Sequence, residues 1–93
     1  MSPNTTTPAG HFTILYFAAA TNHTSKDSDH LPAPLPLGKL FATLEERYPG
    51  MRAKVLNSSA VTLNLDYVDI EDQAETVIME GDEVAIIPPV SSG

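Results

Sequence analysis

The chain contains no cysteine, an absence that removes disulfides, thiolate zinc sites and cysteine nucleophiles together and suits a reducing compartment. Positive charge is scarce as well. Five lysines and arginines stand against twelve aspartates and glutamates, a net charge of -7, which argues against nucleic acid or an anionic membrane as partner and favours a basic protein surface. No apolar run approaches the roughly 20 residues that a membrane-spanning helix needs. The opening MSPNTTTPAG has neither the basic region nor the apolar core of a signal peptide, so the expected location is the cytosol. No glycine-rich phosphate loop follows the first strand and no serine lies in a nucleophile-elbow sequence. A self-contained active site is therefore not expected.

The 93 residues suffice for one domain with a modest core. Residues 1–10, rich in Thr and Pro and without periodicity, read as a disordered leader. Phe12 to Ala18 (FTILYFA) is aromatic, β-branched and short, which predicts a strand, and its apolar character on both faces places it in a sheet interior. Ala19 to Asp29 reads as a polar, turn-prone connection. The segment from His30 to Leu35 is extended, and Pro32, Pro34 and Pro36 demote it to an edge strand against the first strand.

Leu37, Leu40, Phe41, Leu44 and Tyr48 recur at helical spacing and predict a helix whose apolar stripe is core. Pro36 suits its first turn, and Pro49-Gly50 ends it. Met51 to Leu56 adds a helical turn. Ala60 to Asp69 alternates Val61, Leu63 and Leu65 against Thr62, Asn64 and Asp66, a half-buried strand with a turn near Asp66. An acidic loop follows from Ile70 to Glu75, then a short apolar segment at Val77 to Met79. Gly81-Asp82 turns the chain into a last strand at Glu83 to Ile87. One helix crossing over a small mixed sheet is the economical way to bury that stripe, an α+β fold of β-grasp (ubiquitin-like) layout over residues 11–89.

The side chains able to carry chemistry are dispersed. His11, His23 and His30 are too loosely spaced for a local metal motif and read as surface histidines. Asp66, Asp69, Glu71, Asp72 and Glu75 form an acidic run, but without the glycine-centred turn and terminal glutamate of a calcium loop. No metal or stably bound cofactor is expected. The group displayed unusually is the terminal carboxylate: after Pro88-Pro89 only Val90, Ser91, Ser92 and Gly93 remain, a slim tail over residues 90–93. From Pro88 to Gly93 an extended chain reaches about 20 Å, at roughly 3.3 Å per residue. The two prolines lessen the entropy lost when such an arm enters a partner.

The run GDEVAIIPPVSSG, together with the strand FTILYFA and a helix of the type LxKLFxxLEERYP, resembles the small subunits of molybdopterin synthase over residues 11–93. The resemblance implies a sulfur carrier in molybdenum cofactor biosynthesis. Gly93 would be adenylated by a ubiquitin-activating-type enzyme that consumes ATP, and sulfur would be carried covalently as its thiocarboxylate. That thiocarboxylate would donate sulfur to cyclic pyranopterin monophosphate inside the large catalytic subunit, in a heterotetramer of two small and two large subunits. Pro88, Pro89, Val90, Ser91 and Ser92 would form the inserted arm. The family usually ends in two glycines, and Ser92 departs from that: a tolerated variation, the reading favoured here, an engineered change, or a form that is activated poorly. Carriers for tRNA thiolation or thiamine synthesis, ubiquitin-like modifiers, and a ubiquitin-like binding module without carrier chemistry share the fold and stay open as alternatives.

Overall fold

The structure, a computed structural model, describes residues 7–89. The expected disorder of residues 1–6 and the expected tail of residues 90–93 lie outside the described residues. Of the leader, Thr7 meets Thr13 through a 2.7 Å hydroxyl contact and the Gly10 N–H donates to the Glu80 carboxylate at 2.7 Å.

The final strand, Glu83–Ile87, occupies the middle of a five-stranded sheet. Numbering strands in chain order, β1 is His11–Tyr16, β2 Ser28–Pro32, β3 Leu35–Pro36, β4 Ala60–Leu63, β5 Asp66–Val68, β6 Val77–Ile78 and β7 Glu83–Ile87; the main sheet runs β2-β1-β7-β4-β5. β7 is parallel to β1, with Ile14 opposite Val84, and antiparallel to β4, with Val61 opposite Ile86. The expected pairing of the proline-bearing edge strand with the first strand is realised in β2 and β1, and β1 is interior. One of its faces alone is buried, carrying Phe12, Ile14 and Tyr16.

The helix packed on that face begins as a 3-10 turn, Leu37–Lys39, and continues as α2, Leu40–Arg47. Leu37, Leu40 and Leu44 of the predicted stripe are fully buried, while Phe41 and Tyr48 pack half-buried against the core. Gly50, at φ 90°, takes the left-handed turn that ends the run, and α3, Met51–Lys54, follows. Glu45 reaches forward to accept the Gly50 and Arg52 N–H groups at 2.8 Å each. These two bonds hold the Glu45 carboxyl below the usual carboxylate range, against a small opposing effect of desolvation.

Four expectations need correction. Residues 19–24 form a short helix, α1 (Ala19–Thr24), where a turn-prone connection was expected. Its Ala20 and Thr24 are its buried members, and Thr24 Oγ1 is satisfied by the Ala20 carbonyl at 2.9 Å; two small residues leave too faint a stripe for periodicity to register. The proline-bearing segment is two strands rather than one: β2 pairs with β1, and β3 turns away to pair with β6 in a separate two-stranded sheet. The predicted strand from Ala60 to Asp69 is a hairpin, in which Leu63 faces Asp66 across a two-residue turn at Asn64 (φ 51°) and Leu65 (φ 76°). Leu65 consequently leaves the alternation and is 82% exposed. The main helix begins as a 3-10 turn rather than α, and the Leu37 and Gly38 N–H groups, which have no partner within the helix, donate to the Thr76 and Ala74 carbonyls at 2.8 and 3.0 Å.

One polar knot ties the sheet edge to the helix end. Asp29, on β2, accepts hydrogen bonds from the hydroxyls of Tyr48 and Tyr16 and lies 3.4 Å from Lys26 Nζ and 3.6 Å from Arg47 Nη2. The two tyrosine rings meet edge to face at 6.1 Å, a geometry worth about 0.5–1.5 kcal/mol beyond area burial. Burial raises the Asp29 carboxyl, but the Tyr48 hydroxyl, Arg47 and Lys26 outweigh it and hold Asp29 below its ordinary value. Burial first, then the Asp29 charge, pushes the Tyr16 phenol upward.

Two outcomes follow from this packing. Leu44→Ala, measured by urea unfolding, loses about 2–5 kcal/mol, the usual cost of a leucine-sized cavity. The depressed Asp29 carboxyl contributes stability that is fully present above the unfolded value of about 3.9 and is lost as pH falls through the lower folded value. In a pH series of unfolding curves, Asp29→Asn is therefore less stable than wild type at neutral pH, and the gap closes in strong acid.

Candidate functional site: the base of the C-terminal arm and the open sheet face

Strand pairing decides where the arm begins. Ile87 is the last residue of the β7 ladder, opposite Ala60, and beside it the Phe17 N–H donates to the Ile86 carbonyl at 3.3 Å. Val84 and Ile86 are fully buried under the helix, Pro88 is buried, and Pro89 is exposed. The change from buried to exposed therefore falls between the two prolines. Proline cannot donate to a ladder, so the pair ends the sheet on β7 and fixes φ for the residues that leave it. Of the expected site residues, Pro88 and Pro89 are placed here; Val90, Ser91, Ser92 and Gly93 lie outside the described residues.

The arm leaves beside the face opposite the helix-side core, where Ala85 and Thr62 are buried but lie outside the main core cluster. Alternation puts Leu15, Ala85, Thr62 and Tyr67 in one row across β1, β7, β4 and β5, on the side opposite the helix. Leu15, Ala85, Ile87 and Tyr67 are absent from the helix-side core cluster. Towards the arm, Phe17 is 46% exposed and Tyr67 is 73% exposed. Large aromatic side chains at the border of an open sheet are surface that a protein partner can bury.

The remaining candidates stay scattered. His11 Nδ1 contacts the Ala9 carbonyl, and no group of three or more His, Cys, Asp or Glu that could hold a metal ion occurs among the described residues. The acidic run is a turn: Asp69 Oδ1 accepts the Glu71 and Asp72 N–H groups at 2.9 and 3.0 Å, which employs the carboxylate in shaping the loop. No helix among the described residues is long and apolar enough to cross a membrane. Sequence reasoning did not single out Phe17 and Tyr67; Phe17 lies just past the end of β1 and Tyr67 on β5, and their exposure is readable only once strand register is known.

The family model described as "ThiS family" matches residues 14–93. The molybdopterin synthase sulfur carrier subunit of Pyrenophora tritici-repentis is 68% identical over 87 residues, covering 92% of this chain and 94% of that protein. The human protein of that name is 35% identical over 82 residues, covering 86% and 91%. Among solved structures, SAMP1 from Haloferax volcanii superposes with a TM-score of 0.74 at 19% identity, over 90% of this chain and all of that one. Subunits 1 and 2 of molybdopterin-converting factor from Helicobacter pylori form a solved complex, a chain of which matches with a TM-score of 0.64 at 24% identity, over 89% and 99%. At these identities the structural likeness speaks for the β-grasp fold alone. From strand β1 to its last residue, the chain belongs to the ThiS family.

Proposed function

We propose that this chain is the sulfur carrier subunit of a molybdopterin synthase, with Gly93 as the residue that bears the sulfur. The observation that carries the reading is the 68% identity with a protein of that name across nearly the whole chain. The geometry supports it, because the last strand of the described residues is central in the sheet, paired on both edges, and is followed by two prolines at the border of an open face.

The chemistry follows from the carboxylate. A carboxylate is a poor electrophile, so its oxygen first attacks the α-phosphorus of ATP, releasing pyrophosphate and forming an acyl-adenylate on Gly93. A sulfur nucleophile from a donor then displaces AMP, and the C-terminus becomes a thiocarboxylate. Delivered into a large subunit, that sulfur attacks an oxygen-bearing carbon of the pterin precursor, a C–S bond forming as the C–O bond breaks and the oxygen leaves, and hydrolysis of the acyl–sulfur bond returns the Gly93 carboxylate. Two such deliveries build a dithiolene. In this reading the acids, bases and nucleotide contacts come from the partners, and this chain contributes an arm that enters two of them in turn. ATP is consumed in the activating partner, and no cofactor stays on the carrier.

The open face receives the large subunit in this reading. Phe17 and Ile87 flank the arm where it enters the partner, and the acidic character of the chain complements a basic surround. Pro88 and Pro89 end the pairing of β7 ahead of Val90, Ser91, Ser92 and Gly93 in the chain. Ser92 adds one hydroxymethyl group to the arm, small enough for insertion.

Incubation with the activating enzyme, ATP and a sulfur donor, followed by intact-mass spectrometry, shows exchange of one oxygen for sulfur; an unchanged mass with an active enzyme refutes the assignment of Gly93. Deletion of Ser92 and Gly93 abolishes dithiolene formation in the reconstituted synthase while leaving the unfolding midpoint in place. Phe17→Ala weakens binding to the large subunit by about 2 kcal/mol, roughly thirtyfold, as measured by titration calorimetry.

A further inference from the structure

A groove opens on the flank of the molecule, outside the arm and the open face. Its floor is Phe41 from α2, Leu56 from the turn after α3, and Val68 and Ile70 at the end of β5, and it encloses about 280 Å³. Leu56 is buried, whereas Phe41, Val68 and Ile70 stop half-buried against the core, so apolar surface remains available there. The volume falls just under the roughly 300–1,000 Å³ of small-molecule sites, which fits one or two protein side chains better than a metabolite.

Two features of the rim select what enters. Tyr67, 73% exposed, belongs to the open face through its pairing with Thr62 and also lines the groove, so the two surfaces are continuous. Asp69 and Glu71, also on the rim, are exposed carboxylates. They repel the chain's own terminal carboxylate and attract cations. Pairing places the groove at the arm's end of the sheet: Val68 lies opposite Val61, next to Ala60, which faces Ile87. The leader is held at the other end, where Thr7 meets Thr13 opposite Glu83.

We propose that this groove is a second docking point for the large subunit, and that it takes an apolar side chain flanked by lysine or arginine. The inference rests on the sulfur-carrier reading above and deepens it. The large subunit grips the arm, covers the open face, and reaches over Tyr67 into the groove, where its apolar side chain rests on Phe41 and Ile70 and its cation faces Asp69 and Glu71. This contact orients the carrier about the arm, since two separated anchor points remove the rotation that one leaves free.

The test uses the full chain and the large subunit in titration calorimetry, with two substitutions at exposed groove residues. Glu71→Lys lowers affinity by roughly three- to tenfold at low salt, and the loss shrinks as salt rises. Asn57→Trp fills the groove from its rim and lowers affinity by about tenfold or more at every salt concentration. Both variants keep the wild-type unfolding midpoint. Wild-type affinity and salt dependence in both would overturn the groove assignment while leaving the carrier reading intact, whereas failure of the unaltered chain to bind the large subunit would bring down both. A groove occupied by the leader instead appears as affinity that rises when residues 1–6 are deleted, and that result also refutes the proposal.

Discussion

The pairing of β7 between β1 and β4 is the constraint on which the rest depends. β7 comes last in the chain yet sits in the middle of the sheet, parallel to a strand that lies some seventy residues earlier. A parallel neighbour cannot be reached by a tight turn, so the chain between them must cross over one face of the sheet, and the helical stripe of α2 covers that face as it passes. Burial of Ile14, Val84, Ile86, Leu40 and Leu44 together then fixes register, because a one-residue slip of β7 would turn Val84 and Ile86 outward. An arm attached to the end of this strand is anchored where unfolding is most costly.

The sheet divides the labour between its two faces. The helix-side face holds the core, and its polar exceptions are satisfied, with no buried side-chain nitrogen or oxygen left unpartnered among the described residues. The opposite face has Leu15, Ala85, Thr62 and Tyr67 in a row and contributes little to the core, which leaves it free for recognition. Asn64 shows how the hairpin beside that face is secured. Its N–H donates to the Glu83 carbonyl at 2.7 Å and its amide reaches the Glu83 N–H and Asp82 carboxylate, so the turn is stitched to the start of β7.

Much of the architecture was legible because its signals are local. The stripe Leu37, Leu40 and Leu44 has helical period, Pro49-Gly50 is a stop that only a proline and a left-handed residue provide, and the run from Glu83 to Ile87 ends in prolines that close a ladder. The hairpin at Asn64-Leu65 was muted because leucine replaces the glycine that ordinarily marks such a turn, and its positive φ is held by the neighbouring strand rather than by local preference. α1 was muted because its buried residues are small. β3 and β6 were muted because two-residue strands have no period at all, and their pairing joins segments some forty residues apart.

By itself the sequence determined the class of fold, the main helix, the last strand and the arm's composition up to Gly93, since hydrophobic period and proline chemistry act within a few residues of chain. Tertiary structure alone decided that β7 is central, that Phe17 and Tyr67 border an open face, and that Phe41, Leu56 and Ile70 meet in a groove with an acidic rim. These are properties of distance between remote residues. Each was settled when the non-local burial of one core set the register of every strand, and with it the direction of every outward side chain.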